Sequence, residues 1–272
     1  MSASGPYAGK RVYDPIIQGL SGFADIQSDP KTRRPRMIRT IVADKTTAIF
    51  AAQAVTATLF ARERTGEGQH IRLAMLDTMI AYLWPEAMTQ YTVVGREGTA
   101  DPVARPDLIF EAADGYITVG TISDSEWRGF CAASERPDLA EDPRFNTPGG
   151  RAANATERIL LMAAIIKKHP TAEWLQRLDT NDVPSAPVLR RSEVIANQQV
   201  LARELIAEFD HPDIGRVRQP KPAARFDRTP AAIRGPAPRI GEHSAIILAE
   251  LGLETAEIER LAAEKIVRLL KA

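Results

Sequence analysis

The chain has 272 residues, 44% hydrophobic and 26% charged, with thirty-five basic side chains balanced by thirty-five acidic ones. That length suits one large domain or two modest ones with a real core, and zero net charge lacks the basic excess that nucleic acids and anionic membrane surfaces call for. No run nears the roughly 18 apolar residues of a spanning helix, the opening MSASGPYAGK has no apolar stretch to serve as a signal peptide, and the single cysteine, Cys131, permits no internal disulfide, so a cytoplasmic location is expected.

In chain order, an apolar patch at 15–23 precedes a basic, turn-like stretch that contains Arg33, Arg34 and Arg36. Residues 37–42 are dense in β-branched side chains and predict a short strand. Ala48, Ala51, Ala52, Val55 and Leu59 then recur at helical spacing, with Asp44 placed as N-cap and Gly66 as terminator. Residues 70–75 alternate like a strand, and 76–88 predict a helix broken at Pro85. Strand, helix, strand, helix is the order of an α/β layered domain. Residues 91–105 are polar and predict a linker. A second unit follows, with a turn at Asp114-Gly115, a strand over 116–120, and helices over 125–133, 152–168 and 171–178. A proline-punctuated strand or loop at 183–189 leads to a helix over 193–207. A hairpin over 209–218, a proline-rich crossing at 220–238, and helices over 242–251 and 255–265 complete the chain, with Gly252 as a C-cap.

Few residues suggest chemistry by type and spacing. Asp44 reads either as a helix N-cap or as a nucleophilic carboxylate; the readings are compatible, because a cap needs only one oxygen. Tyr13 and Asp14 read as a turn, with Tyr13 half-buried. Met75 and Asp77 fall at the expected end of a strand, where α/β folds tend to place ligands, although a methionine there is also ordinary core. His70, His169, His211 and His243 look local, none being spaced with a serine or with Cys131 for a hydrolase triad. Cys131 sits in an apolar helical context and reads as inert core. No CxxC, histidine cluster or phosphate-binding glycine loop occurs, so no metal is expected.

Several motifs in series nevertheless resemble the class III CoA-transferases, the CaiB/BaiF-type family that includes formyl-CoA transferase and the α-methylacyl-CoA racemases. They are Gly5-Pro6-Tyr7-Ala8-Gly9, Tyr13-Asp14-Pro15-Ile16-Ile17-Gln18-Gly19-Leu20-Ser21-Gly22, Val42-Ala43-Asp44-Lys45-Thr46, Arg64-Thr65-Gly66-Glu67-Gly68-Gln69 and Leu73-Ala74-Met75-Leu76-Asp77. Asp114-Gly115-Tyr116-Ile117, Asp142-Pro143-Arg144-Phe145, Val183-Pro184-Ser185-Ala186-Pro187-Val188 and Ala237-Pro238-Arg239-Ile240-Gly241-Glu242-His243 continue the series.

The resemblance implies a ping-pong transfer of CoA between an acyl-CoA thioester and a carboxylic acid, through a covalent intermediate on Asp44. It places CoA contacts at Arg11, Val12, Tyr13 and Asp14, and Met75 near the thioester, with coenzyme A a substrate rather than a resident cofactor. Racemases of the family carry a histidine where this chain has Tyr13, a poor base at neutral pH, which favours transfer over racemisation. The implied fold is α/β, a partial Rossmann-like large domain plus a smaller α+β domain joined by long linkers. Residues 1–90 would carry the nucleophile in the large domain, 91–105 would link, 106–190 would form the small domain, 191–238 would return, and 239–272 would bring the last helices back to the large domain. An amino-terminal segment of the family is missing, and no glycine-rich flap of the formyl-CoA transferase kind is present near 95–110. The resemblance therefore implies an interlocked homodimer or a partner that supplies the segment. A catalytically silent truncated interaction module is the alternative, with an acyl-CoA racemase, disfavoured by Tyr13, as a further one.

Overall fold

The computed structural model describes residues 4–95, 97 and 107–270, so most of the expected linker at 91–105 lies outside the described residues. The chain divides into two compact units, 1–188 and 189–272.

The first unit opens with α1 (Asp14–Leu20) and α2 (Phe23–Ile26), separated at Gly22. Pro15 lies in the first turn of α1, where a missing N–H costs nothing. The long α3 (Val42–Thr65) has neither glycine nor proline and is rich in alanine, the best helix former. Gly66 ends it in a left-handed conformation, φ 78°, and donates its N–H to the Arg62 carbonyl at 2.8 Å. Helix α4 (Met75–Leu83) packs on α3 and stops before Pro85. Ile17, Phe23, Ala43, Met79 and Leu83 form the buried cluster that joins these helices.

Two expected strands are not formed among the described residues. Residues 37–42 form no ladder, because Ile38 and Thr40 direct backbone groups to a side chain of α1. Residues 70–75 likewise lack a ladder partner among the described residues; Ala74 is extended, but Met75 opens α4 rather than closing a strand.

A second cluster in the same unit surrounds a three-stranded antiparallel sheet in the order β1 (Ile109–Glu111), β2 (Tyr116–Val119), β3 (Ser185–Pro187). Phe110 pairs with Ile117, and Ile117 with Pro187. Helices α5 (Asp124–Ala133), α6 (Pro148–Ala153), α7 (Ala155–Ile166) and α8 (Thr171–Thr180) complete it. Trp127 and Trp174 are both buried, and each satisfies its indole N–H on a carbonyl, Leu139 at 3.1 Å and Ile166 at 2.6 Å. Ser123 and Glu126 form a capping box on α5.

The second unit holds α9 (Arg191–Val194), α10 (Gln198–Ala202), the hairpin β4 (Ile206–His211) and β5 (Gly215–Pro220), then α11 (Ser244–Glu250) and α12 (Thr255–Ala263). The single helix expected over 193–207 is broken, because Asn197 caps a new start by accepting the N–H groups of Gln199 and Val200. No helix among the described residues is long and apolar enough to cross a membrane.

Candidate active site

Asp44 is the third residue of α3 and not its N-cap; Ile41 holds that position and has no side-chain oxygen. The capping task passes to Asp14, which reaches across from the first turn of α1. Its Oδ2 accepts the Ala43 N–H at 2.6 Å and lies 3.4 Å from the Asp44 nitrogen. The flanking amides are also satisfied, since Val42 donates to the Thr40 carbonyl and Lys45 to the Ile41 carbonyl. The amides of Val42, Ala43, Asp44 and Lys45 therefore have partners inside the chain. This has two chemical consequences. The Asp44 carboxylate, which is exposed, has no capping duty. The Val42, Ala43 and Asp44 N–H groups are engaged within the chain rather than held open as a phosphate cradle.

Asp14 is 3% exposed, and its second oxygen, Oδ1, accepts the Gln18 Nε2–H at 2.5 Å. A buried carboxylate requires such partners, and here one comes from its own helix and the others from the helix that bears Asp44. Val12 and Met75 pack against the cluster of Ile17, Ala43 and Met79 that supports this corner. Arg11 is exposed, and Tyr13 is 71% exposed rather than half-buried. The structure thus joins Asp14 to the helix start that bears Asp44, packs Val12 and Met75 against the apolar cluster that includes Ala43, and leaves Arg11 and Tyr13 on the surface. Gln18 escaped the sequence reading. Its signal was a polar residue one helical turn after Asp14 inside an apolar patch.

Two of the histidines are engaged locally: His169 pairs with Glu173, four residues on, and His211 accepts the Asp213 N–H. Cys131 is buried, and desolvation pushes its thiol up to about 12. Among the described residues no group of three or more His, Cys, Asp or Glu side chains could hold a metal. A cavity of about 880 Å³ in the second unit, lined by Ile240, Ile266, Val267 and Leu270 among others, contains none of the candidate residues.

The model of CoA-transferase family III matches residues 2–244. The succinate–glutarate CoA-transferase of Agrobacterium fabrum is 34% identical over 261 residues, which are 93% of this chain and 64% of that protein. The succinyl-CoA:mesaconate CoA-transferase of Haloarcula marismortui is 34% identical over 263 residues, 91% of this chain and 62% of that protein. The crystal structure of a CAIB/BAIF family protein from Brucella suis superposes with a TM-score of 0.73 at 30% identity, covering 92% of this chain and 66% of that one. The fold is accordingly the mixed α/β arrangement of those proteins. The chain spans about three fifths of the length of the curated relatives it matches.

Proposed function

The chain belongs to CoA-transferase family III, and we propose that it carries the nucleophile, Asp44, of a CoA transfer between an acyl-CoA thioester and a carboxylic acid. A carboxylate oxygen of Asp44 attacks the thioester carbon, the C–S bond breaks, and CoA leaves as thiolate. The thiolate attacks the Asp44 carbonyl carbon of the resulting anhydride and releases the donor acid. An acceptor carboxylate then attacks the aspartyl thioester and releases thiolate again. That thiolate attacks the acceptor's acyl carbon and frees Asp44. No net proton moves, and the thioester is exchanged without hydrolysis, one difficult exchange being divided into easier steps.

The observation that carries this reading is the exposed carboxylate in the first turn of a 24-residue helix whose opening amides are already satisfied. The positive end of the helix favours charge at that point, by about 0.3–1 kcal/mol at an exposed site. The names of the relatives specify succinate and glutarate in one and succinyl-CoA and mesaconate in the other, and we assign this chain the same substrate class, short dicarboxylates and their CoA thioesters. Of the five residues expected to contact CoA, Arg11, Val12, Tyr13 and Met75 are proposed as CoA-facing, whereas the Asp14 carboxylate is buried and bonded to Gln18 and Ala43 and is not. Because the chain spans three fifths of its relatives, the proposed working form is a dimer or a complex that adds further CoA contacts.

Succinyl-CoA incubated with glutarate and the full chain is expected to yield glutaryl-CoA, and Asp44→Ala to yield none. Yield undiminished in Asp44→Ala would refute the assignment. With Tyr13 in place of a histidine base, no α-proton exchange into deuterated water is expected during turnover.

A further inference from the structure

The carboxamide of Gln18 connects three segments that meet at the start of α3. Its Nε2 donates to Asp14 Oδ1 at 2.5 Å and lies 3.3 Å from both the Ile38 and Thr40 carbonyl oxygens. Its Oε1 accepts the Ile38 N–H at 3.0 Å. A carboxamide offers two donor hydrogens and one acceptor oxygen, and both ends are engaged here. The side chain is 1% exposed, so water cannot replace a lost partner.

These bonds act at both approaches to Asp44. On one side, the bond to Oδ1 fixes the Asp14 carboxylate in the orientation that presents Oδ2 to the Ala43 and Asp44 amides. On the other side, the bonds to Ile38 and Thr40 hold the segment that enters α3 at Val42. Ala43, between the two, is fully buried against Ile17 and Met79, so the helix start is located by packing as well as by hydrogen bonds. Asp44 is the next residue. Its own side chain makes none of these bonds, so its place depends on the backbone that they hold.

We propose that Gln18 is a positioning residue for the Asp44 nucleophile, acting through the Asp14 carboxylate and the 38–40 segment. The proposal rests on the transferase reading of Asp44. A purely structural Gln18 would affect stability and leave the rate per folded molecule unchanged; a positioning Gln18 affects that rate, since misplacing a reacting group by about 1 Å costs on the order of 10²-fold.

The test uses the full chain with Gln18→Met, which keeps the shape and removes the hydrogen bonds, and with Gln18→Glu, which keeps an acceptor for Ile38 but sets a second carboxylate against Asp14. Amide hydrogen exchange at Ala43 and Asp44 is read beside the rate of glutaryl-CoA formation per folded molecule. Both variants are expected to exchange these two amides about tenfold faster or more, while the amides of α3 beyond residue 50 are unchanged. Both are expected to lose about tenfold or more in kcat, with KM for succinyl-CoA within about twofold. Adding Asp14→Asn to Gln18→Glu restores the bond with donor and acceptor exchanged, and is expected to recover part of kcat. If Gln18→Met does not fold, Gln18→Glu with and without Asp14→Asn decides by the same readouts. Unchanged exchange at Ala43 and Asp44, or an unchanged kcat per folded molecule, overturns the proposal. If the wild type itself forms no acyl product, the transferase reading fails, and the exchange data alone decide whether Gln18 sets the start of α3.

Discussion

Asp14 and Asp44 are carboxylates at one helix start with opposite commitments. Asp14 is buried, and both of its oxygens are bonded; Asp44 is exposed and has no capping duty. Opposite responses to mutation follow. Asp14→Ala leaves the Ala43 and Asp44 amides without their acceptor beside a buried alanine, and is expected to lower stability by about 1–3 kcal/mol, read as a shift of the urea midpoint. Asp44→Ala removes an exposed side chain and its charge at the helix start, and is expected to lower stability by no more than about 1 kcal/mol while abolishing transfer. Equal stability losses in the two variants would contradict this division. Asp44 was legible in the sequence as a residue at a helix start and as part of a family motif. Its relief from capping was not, because the acceptor comes from thirty positions earlier, and cap preferences describe only neighbours in sequence. Cys131 was legible as inert core, and with its thiol pushed up to about 12 by burial, a thiol-exchange reagent at pH 8 is expected to react only after denaturant is added.

Among the elements, those that carry their own signal were legible, and those that depend on a lateral partner were not. Helix α5, expected over 125–133, spans Asp124–Ala133, and α3 shows its alanine run and terminal Gly66. Residues 37–42 and 70–75 have strand composition but no ladder, since composition does not state what lies alongside. The close approach at Gly129 was equally invisible. A Cβ there would stand 2.4 Å from the Asn181 carbonyl oxygen and 2.7 Å from Val183 Cγ2, so α5 meets the turn after α8 only because residue 129 has no side chain. Gly129→Ala is expected to destabilise the chain by about 1–3 kcal/mol; a chain of unchanged melting temperature would contradict the contact. Acid should act on the same region. Hydrogen bonds from the Arg144 side chain and backbone hold Asp142 at about 2 against its ordinary 3.8, and bonds from the Thr171 hydroxyl and amide lower Asp114. A lowered folded-state value means that the contribution is complete above about 3.8 and is lost as pH falls toward 2. Asp142→Asn is expected to flatten the pH dependence of stability in that window and to leave it unaltered near neutrality.

At the scale of the whole molecule, family and fold class were legible because motifs from Gly5 to His243 occur in family order, and the family model spans residues 2–244. The details that govern chemistry at the α3 start were not, since they depend on how α1, the 38–40 segment and α3 converge in space. Large apolar side chains are exposed on α3, including Ile49 at 69% and Phe60 at 63%. The most direct measurement is chemical trapping. The full chain is incubated with succinyl-CoA, quenched with borohydride, and mapped by peptide mass spectrometry. Reduction of the Asp44 side chain to an alcohol, dependent on succinyl-CoA and absent from Asp14 and Asp77, is the predicted result; transfer that proceeds while Asp44 stays unreduced, or a label on another residue, would contradict it.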